Sequence, residues 1–167
     1  MICIIWLIEI LNLFLGHQLC NFGIFPRSIN GLIGIPLSPF LHSSIRHTLS
    51  NTMPLIVLSG LIMLQGKRNF FMLSMFIIFI GGAGVWLFGR PYYHVGASGL
   101  IFGYFGFLIA NGWYNRSLFS IIAALVTLFF YGGILWGVLP LSFKISWEGH
   151  LFGLLAGILW AYLKKKK

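Results

Sequence analysis

From Phe70 to Phe88 the chain runs for 19 residues without a charged side chain, and Leu118–Leu139 is equally free of charge. A charge-free apolar run of about 18 residues or more is long enough to cross the hydrocarbon of a bilayer as a helix. The whole chain follows the same pattern, with 59% hydrophobic and 8% charged residues. Soluble domains carry roughly 25% charged residues, because water must solvate their surface. Lipid is therefore the expected solvent. There only helices and closed barrels satisfy their own backbone polar groups. The apolar stretches are continuous rather than alternating, which favours helices over a barrel. At about 20 residues per span, a chain of this length holds about six helices. The expected fold is an all-α polytopic membrane protein of six transmembrane helices. It forms a single domain over residues 1–167, with no internal repeat and no soluble domain.

The expected spans are Met1–Leu15, His47–Leu64, Phe70–Phe88, Ser98–Gly112, Leu118–Leu139 and Trp147–Leu163. Glu9 and Asn12 interrupt the first, for which a signal peptide is the rival reading. The first basic residue is Arg27 and Gly16–Asn21 holds no Ala-x-Ala, so a retained helix is expected. Glu9 then faces other helices, where it finds a hydrogen-bond donor. Pro54 is expected to loosen the second span one turn below Asn51. Gly16–Arg46 is the longest connection, with Pro26, Pro36 and Pro39 among several Leu, Ile and Phe residues. Long loops in small domains are often functional, and the apolar content of this one suggests that it folds onto the membrane surface. His17, His94, Trp147 and Trp160 read as interfacial residues.

The net charge of +9 suggests nucleic acid at first sight. Its distribution argues otherwise, because Lys164–Lys167 follow an apolar helix directly. That is a topological anchor near anionic headgroups, so the partner is the lipid bilayer and no nucleic acid is expected. Cys3 and Cys20 lie too far apart along the first segment to bridge. They read as ordinary apolar-site residues, and with no metal-binding spacing in the chain neither a metal nor a cofactor is expected.

Six spans place both termini on one side. That side collects Lys67, Arg68, Arg116 and Lys164–Lys167, while the other collects Arg27, Arg46, Arg90 and Lys144. The excess of basic residues marks the cytoplasmic side, so both termini are expected in the cytoplasm. The second, fourth and sixth spans then all run inward from the outer face. Each starts near a polar residue: His47, Ser98 and His150. Helix starts on the same side lie at similar depth, so these scattered residues can meet near the outer face.

Ser98 stands between glycines in His94–Gly103, and Gly99 beside it leaves the hydroxyl open to approach. It is either an N-cap with close helix packing or a nucleophile at a helix N-terminus. On this segment alone the cap is the favoured reading, since Ser is a preferred N-cap; a base brought within reach by glycine packing reverses it. Gly99, Gly103 and Gly106 on the fourth span, and Gly149, Gly153 and Gly157 on the sixth, let two backbones approach closely. Gly153 and Gly157 lie within about 60° of His150 around the helix. If those helices pair, His150 reaches Ser98, and a base touching a serine is the signature of an activated nucleophile. His47 and Asn51, at i and i+4, share a helix face and can donate to an oxyanion. The rival role for this pair is to bind the long loop, and for His42 support of the pocket and holding of the loop are equally open. Backbone N–H groups in the first turn of the fourth span are free as well. Glu148 lies two residues before His150, on roughly the opposite side of the helix, so a Ser–His dyad without a carboxylate is expected.

Three motifs carry a resemblance: Gly96-Ala97-Ser98-Gly99-Leu100-Ile101-Phe102-Gly103, the run from His42 through His47 to Asn51, and Gly149-His150-Leu151-Phe152-Gly153 with Gly157. In this order and on these helices the chain resembles the rhomboid family of intramembrane serine proteases, in a minimal six-helix, bacterial-type form. The resemblance implies that Ser98 is the nucleophile and His150 the general base. It implies that His47, Asn51 and the Ser98 backbone N–H bind the oxyanion. Phe102 would support the His150 imidazole; many relatives carry Tyr there, and Phe keeps the ring without the hydroxyl. Substrates would be single-span membrane proteins, cut near the extracytoplasmic face of a bacterial plasma membrane. Helix-breaking residues and a small residue before the cut would be favoured. The long loop lacks the Trp-Arg pair that several relatives carry. Two rival readings are a rhomboid-like pseudoprotease that binds membrane helices without cutting them, and a small transporter. Intact Ser98 and His150 argue against the first. Only Glu9 approaches the paired charges that the second would want.

Overall fold

A computed structural model describes residues 1–141 and 145–165. Lys144, assigned above to the outer side, and Lys166 and Lys167 of the terminal anchor lie outside the described residues. The principal helices are α1 (Ile2–Phe14), α2 (Ile45–Met63), α3 (Lys67–Phe88), α4 (Ser98–Asn115), α5 (Leu118–Tyr131) and α6 (Trp147–Leu163). Among the described residues there is no strand beyond one isolated antiparallel bridge, Ile24 with His94. The two segments Lys67–Phe88 and Leu118–Val138 are long and apolar enough to cross a membrane by length and composition alone. α1 is apolar but shorter.

α4 lies at the centre. Apart from residues such as Ser98, Tyr104, Asn111 and Asn115 its sequence is apolar all round, which calls for cover by protein or by lipid; here neighbouring helices supply it. Leu100, Ile101, Tyr104, Phe105, Phe107 and Leu108 are accordingly buried. α6 packs on it through glycines. A methyl on Gly153 would overlap the Gly99 carbonyl, and one on Gly157 would overlap the Gly103 carbonyl. The two backbones are thus in direct contact, the small-residue mode of association that lipid favours. Polar cross-links add to this contact. Ser74 on α3 and Tyr104 on α4 share a hydrogen bond of 2.6 Å, and Asn111 donates to Gln65 and Ser120.

The outward faces are apolar. Phe14 and Phe129 are each 83% exposed. Leu118, Leu125, Leu128 and Phe130 also point outward from α5. A water-facing surface of this kind would aggregate, so lipid is its natural solvent.

Two helices depart from regular α geometry. α3 contains a π-helical turn at Ile77–Gly81, a distortion that often marks a functional site. α5 tightens after Tyr131 into a 3-10 segment, Gly132–Val138. Hydropathy cannot report either change. α2 stays continuous through Pro54, so no break follows the proline.

The long connection is ordered. It forms short turns at Gln18–Phe22, Asn30–Ile33, Gly34–Leu37 and Ser38–Phe40. Its partners are mainly the end of α3 and the segment after it. Ile24 and His94 exchange backbone hydrogen bonds. Arg27 donates to the Leu87 and Gly89 carbonyls, and Trp86 donates back to Ser28. Glu9 is buried at 1% exposure, and its Oε1 lies 3.3 Å from His17 Nε2, in the turn after its own helix rather than on another helix.

Candidate active site

The site forms where α4 and α6 begin. Glycine contacts bring the two helix starts together, and Ser98 and His150 then face each other. Ser98 Oγ lies 3.0 Å from His150 Nε2. The hydroxyl is half-buried and the imidazole buried. The capping alternative for Ser98 does not hold. α4 begins at Ser98 itself, Ala97 occupies the N-cap, and no side chain caps that helix. The serine hydroxyl is therefore turned away from the backbone and toward the histidine.

Phe102 lies one turn below Ser98. Its ring stacks on the imidazole at 4.1 Å with 6° between the planes. Opposite the serine, His150 Nδ1 lies 2.7 Å from the Gly137 carbonyl oxygen. The imidazole is thus held by one face and both nitrogens. Sequence reasoning missed Gly137, because its contribution is a backbone carbonyl from a segment with no polar side chain to mark it.

The start of α2 supplies the other wall. A Cβ at Gly96 would come 2.8 Å from His47 Nε2 and 3.6 Å from Asn51 Nδ2. Both groups therefore aim at the backbone two residues before Ser98. Gly96 has φ +116°, a conformation that glycine adopts without strain. His47 Nδ1 is 3.3 Å from Ser43 Oγ, while the buried Asn51 Nδ2 has no hydrogen-bond partner. The first intrahelical bond of α4 runs from Ile101 N–H to Ala97 C=O, so the Ser98 amide precedes it.

His42 serves both the wall and the loop. Its Nε2 accepts from the Ala97 N–H at 3.3 Å, and its own carbonyl accepts from Asn12 and Cys20. It is fully buried, and burial, with His47 nearby, holds its pKa down at about 4. The ring is neutral at physiological pH, as an acceptor for an amide must be.

His94 is a correction. Instead of lying at an interface, it is 3% exposed. Its Nε2 faces the Arg90 carbonyl at 3.0 Å, and its Nδ1 faces Ser146 Oγ at 2.6 Å. Ser146 in turn caps α6 by accepting from Gly149 N–H. Burial lowers the His94 pKa. Beside it, Arg90 Nε pairs with Glu148 Oε1 at 2.5 Å, and Arg90 also donates to Tyr92 and the Ile145 carbonyl. Burial first, and Glu148 next, push Tyr92 up to about 12. Glu148 is thus committed to Arg90 and stays out of the Ser98–His150 pair. The network ties the segment leading into Ser98 to the helix start that bears His150.

A cleft opens beside Ser98, with about 50 Å³ accessible to water-sized molecules. Gly96, Gly99, Ser146, Ile77 and Gly81 are among its walls, so the π-helical turn of α3 borders it. Chemically, the assembly offers a hydroxyl against an oriented base, uncommitted donors nearby and a cleft with room for water.

A family model described as Rhomboid domain matches residues 30–167. An uncharacterized protein of Mycobacterium tuberculosis is 40% identical over 171 residues, covering 97% of this chain and 71% of its own length. One from Mycobacterium leprae is 38% identical over 169 residues, covering 96% of this chain and 67% of its own. A putative rhomboid protein of Acanthamoeba polyphaga mimivirus is 28% identical over 142 residues, covering 79% and 75% of the two chains.

Proposed function

The chain belongs to the rhomboid family, and on that footing we propose that it is an intramembrane serine endopeptidase with a Ser98–His150 dyad. One observation carries the reading: Ser98 Oγ stands 3.0 Å from His150 Nε2, on an imidazole stacked against Phe102. A serine that served only packing would not need a buried base at hydrogen-bond distance.

In this mechanism Ser98 Oγ attacks the scissile carbonyl carbon of a substrate helix while His150 Nε2 takes its proton. The carbonyl oxygen becomes an oxyanion. Asn51 Nδ2–H, the Ser98 N–H and His47 Nε2–H donate to it, the last in the tautomer whose Nδ1 accepts from Ser43. Gly99, without a side chain, leaves the hydroxyl accessible. Collapse breaks the C–N bond, and His150 returns the proton to the leaving amine. Water, deprotonated by the same base, then hydrolyses the acyl-enzyme and restores Ser98.

Helices α1 to α6 cross the bilayer in this reading, with both termini in the cytoplasm and Ser98 toward the extracytoplasmic face of a bacterial plasma membrane. The apolar outward faces support the crossing, and the basic Lys67, Arg68, Arg116 and Lys164 support the orientation. Substrates are single-span membrane proteins whose helix unwinds locally at the cut.

Labelling with a fluorophosphonate tests the chemistry. The wild type is expected to react at Ser98 and Ser98→Ala to remain unlabelled. Cleavage of a panel of single-span substrates should show the same difference. A wild type that resists labelling, or Ser98→Ala that cleaves undiminished, would overturn the proposal.

A further inference from the structure

We propose that the Gly137 carbonyl is the positioning group of the base, so that the last turns of α5 decide whether His150 can act on Ser98. The inference rests on the protease reading and assigns the orienting role that no carboxylate fills.

A carbonyl oxygen can only accept, so the His150 Nδ1 that faces it at 2.7 Å carries the proton. In the neutral ring the lone pair then sits on Nε2, the atom that faces Ser98 Oγ. A buried carboxylate does the same in a three-residue triad. Here a backbone dipole does it, without a charge that must be desolvated. A side chain at this place would crowd the imidazole and the ring stacked on it. A Cβ on residue 137 would lie 2.9 Å from Phe102 Cζ and 3.0 Å from His150 Nδ1.

The carbonyl comes from a weakly held part of the fold. It belongs to the 3-10 segment Gly132–Val138, none of whose residues is buried. The buried residues of α5 are Ser120, Ala123 and Thr127, all before that segment. Ser98 and His150, by contrast, stand on helices locked backbone to backbone. Few buried contacts mean a low cost of local displacement. A shift of about 1 Å away from His150 is enough to break the Nδ1 hydrogen bond. A displacement of that size at the end of α5 therefore releases the base.

The test uses protein labelled with ¹⁵N at histidine, in detergent micelles, in the Ser98→Ala background. That substitution removes the other partner of the ring and leaves Gly137 to set the tautomer. Neutral His150 is expected to be Nδ1-protonated in Ser98→Ala and to turn to the Nε2-protonated form in Ser98→Ala/Gly137→Ala. In otherwise wild-type protein, Gly137→Ala is expected to lower kcat for a single-span substrate by roughly 10²-fold, with KM little changed. An Nε2-protonated His150 in Ser98→Ala, or wild-type kcat in Gly137→Ala, overturns the inference. If Gly137→Ala does not fold, the Ser98→Ala spectrum decides alone. An Nδ1-protonated ring together with a wild type that resists fluorophosphonate overturns the protease reading instead.

Discussion

Gly153→Ala is the smallest change that should separate the two halves of the candidate site. A methyl there overlaps the Gly99 carbonyl oxygen and lies 2.9 Å from the Gly99 carbonyl carbon and 3.1 Å from its Cα. The obstacles are backbone atoms of a central helix, which cannot rotate aside. Restoring ordinary van der Waals contact moves α6 from α4 by about 1 Å. Ser98 directly precedes Gly99, and His150 lies one turn before Gly153, so the displacement falls on their 3.0 Å contact. At about 4 Å a hydrogen bond no longer exists. The cost of overpacking is about 1–3 kcal/mol, set against at most ~1 kcal/mol gained from better helix propensity. The cost in reactivity is about 10²-fold, as for other misplacements of this size. Fluorophosphonate labelling rate and thermal unfolding in one detergent measure both. Gly60→Ala is the control, because nothing lies within 4 Å of its added methyl. It is expected to label like wild type and to unfold at an equal or higher temperature. Labelling of Gly153→Ala at the wild-type rate would refute the claim that direct backbone contact sets the Ser98–His150 distance.

Three further outcomes follow from the same contacts. His42 has its pKa lowered from 6.5 to about 4, so between those values the unfolded chain binds a proton that the folded one excludes. Its contribution is full above about pH 6.5 and is lost as pH falls toward 4, by at most about 3 kcal/mol; unfolding temperature against pH should flatten in that window for His42→Gln. Glu148→Gln, which removes the charge paired with Arg90, is expected to cost about 1–3 kcal/mol; in a double-mutant cycle with Arg90→Gln, a coupling of zero would show that the pair holds nothing together. Phe102→Leu removes the ring stacked on His150 and should slow labelling by up to about 10-fold, whereas Phe102→Tyr should retain the rate.

The sequence by itself determined the solvent and the plan of the helices. Charge-free runs such as Phe70–Phe88 leave lipid and helix as the consistent choice, because burial of backbone polar groups in hydrocarbon is a local requirement of each segment. The glycines on α4 and α6 announced close approach, and the polar residues at the starts of α2, α4 and α6 announced a meeting place. Side chains of that kind carry their chemistry in the sequence. Tertiary structure alone decided which contacts they make. Ser98 was open to a capping role until the α4–α6 contact turned its hydroxyl to His150. His94 looked interfacial because nothing local reveals that Ile24, Arg90 and Ser146 enclose it. Gly137 left no trace in the sequence, since a carbonyl is common to every residue and only its position beside an imidazole gives it meaning. Local solvation and periodicity are written along the chain; the pairing of atoms from distant segments exists only once the helices are packed.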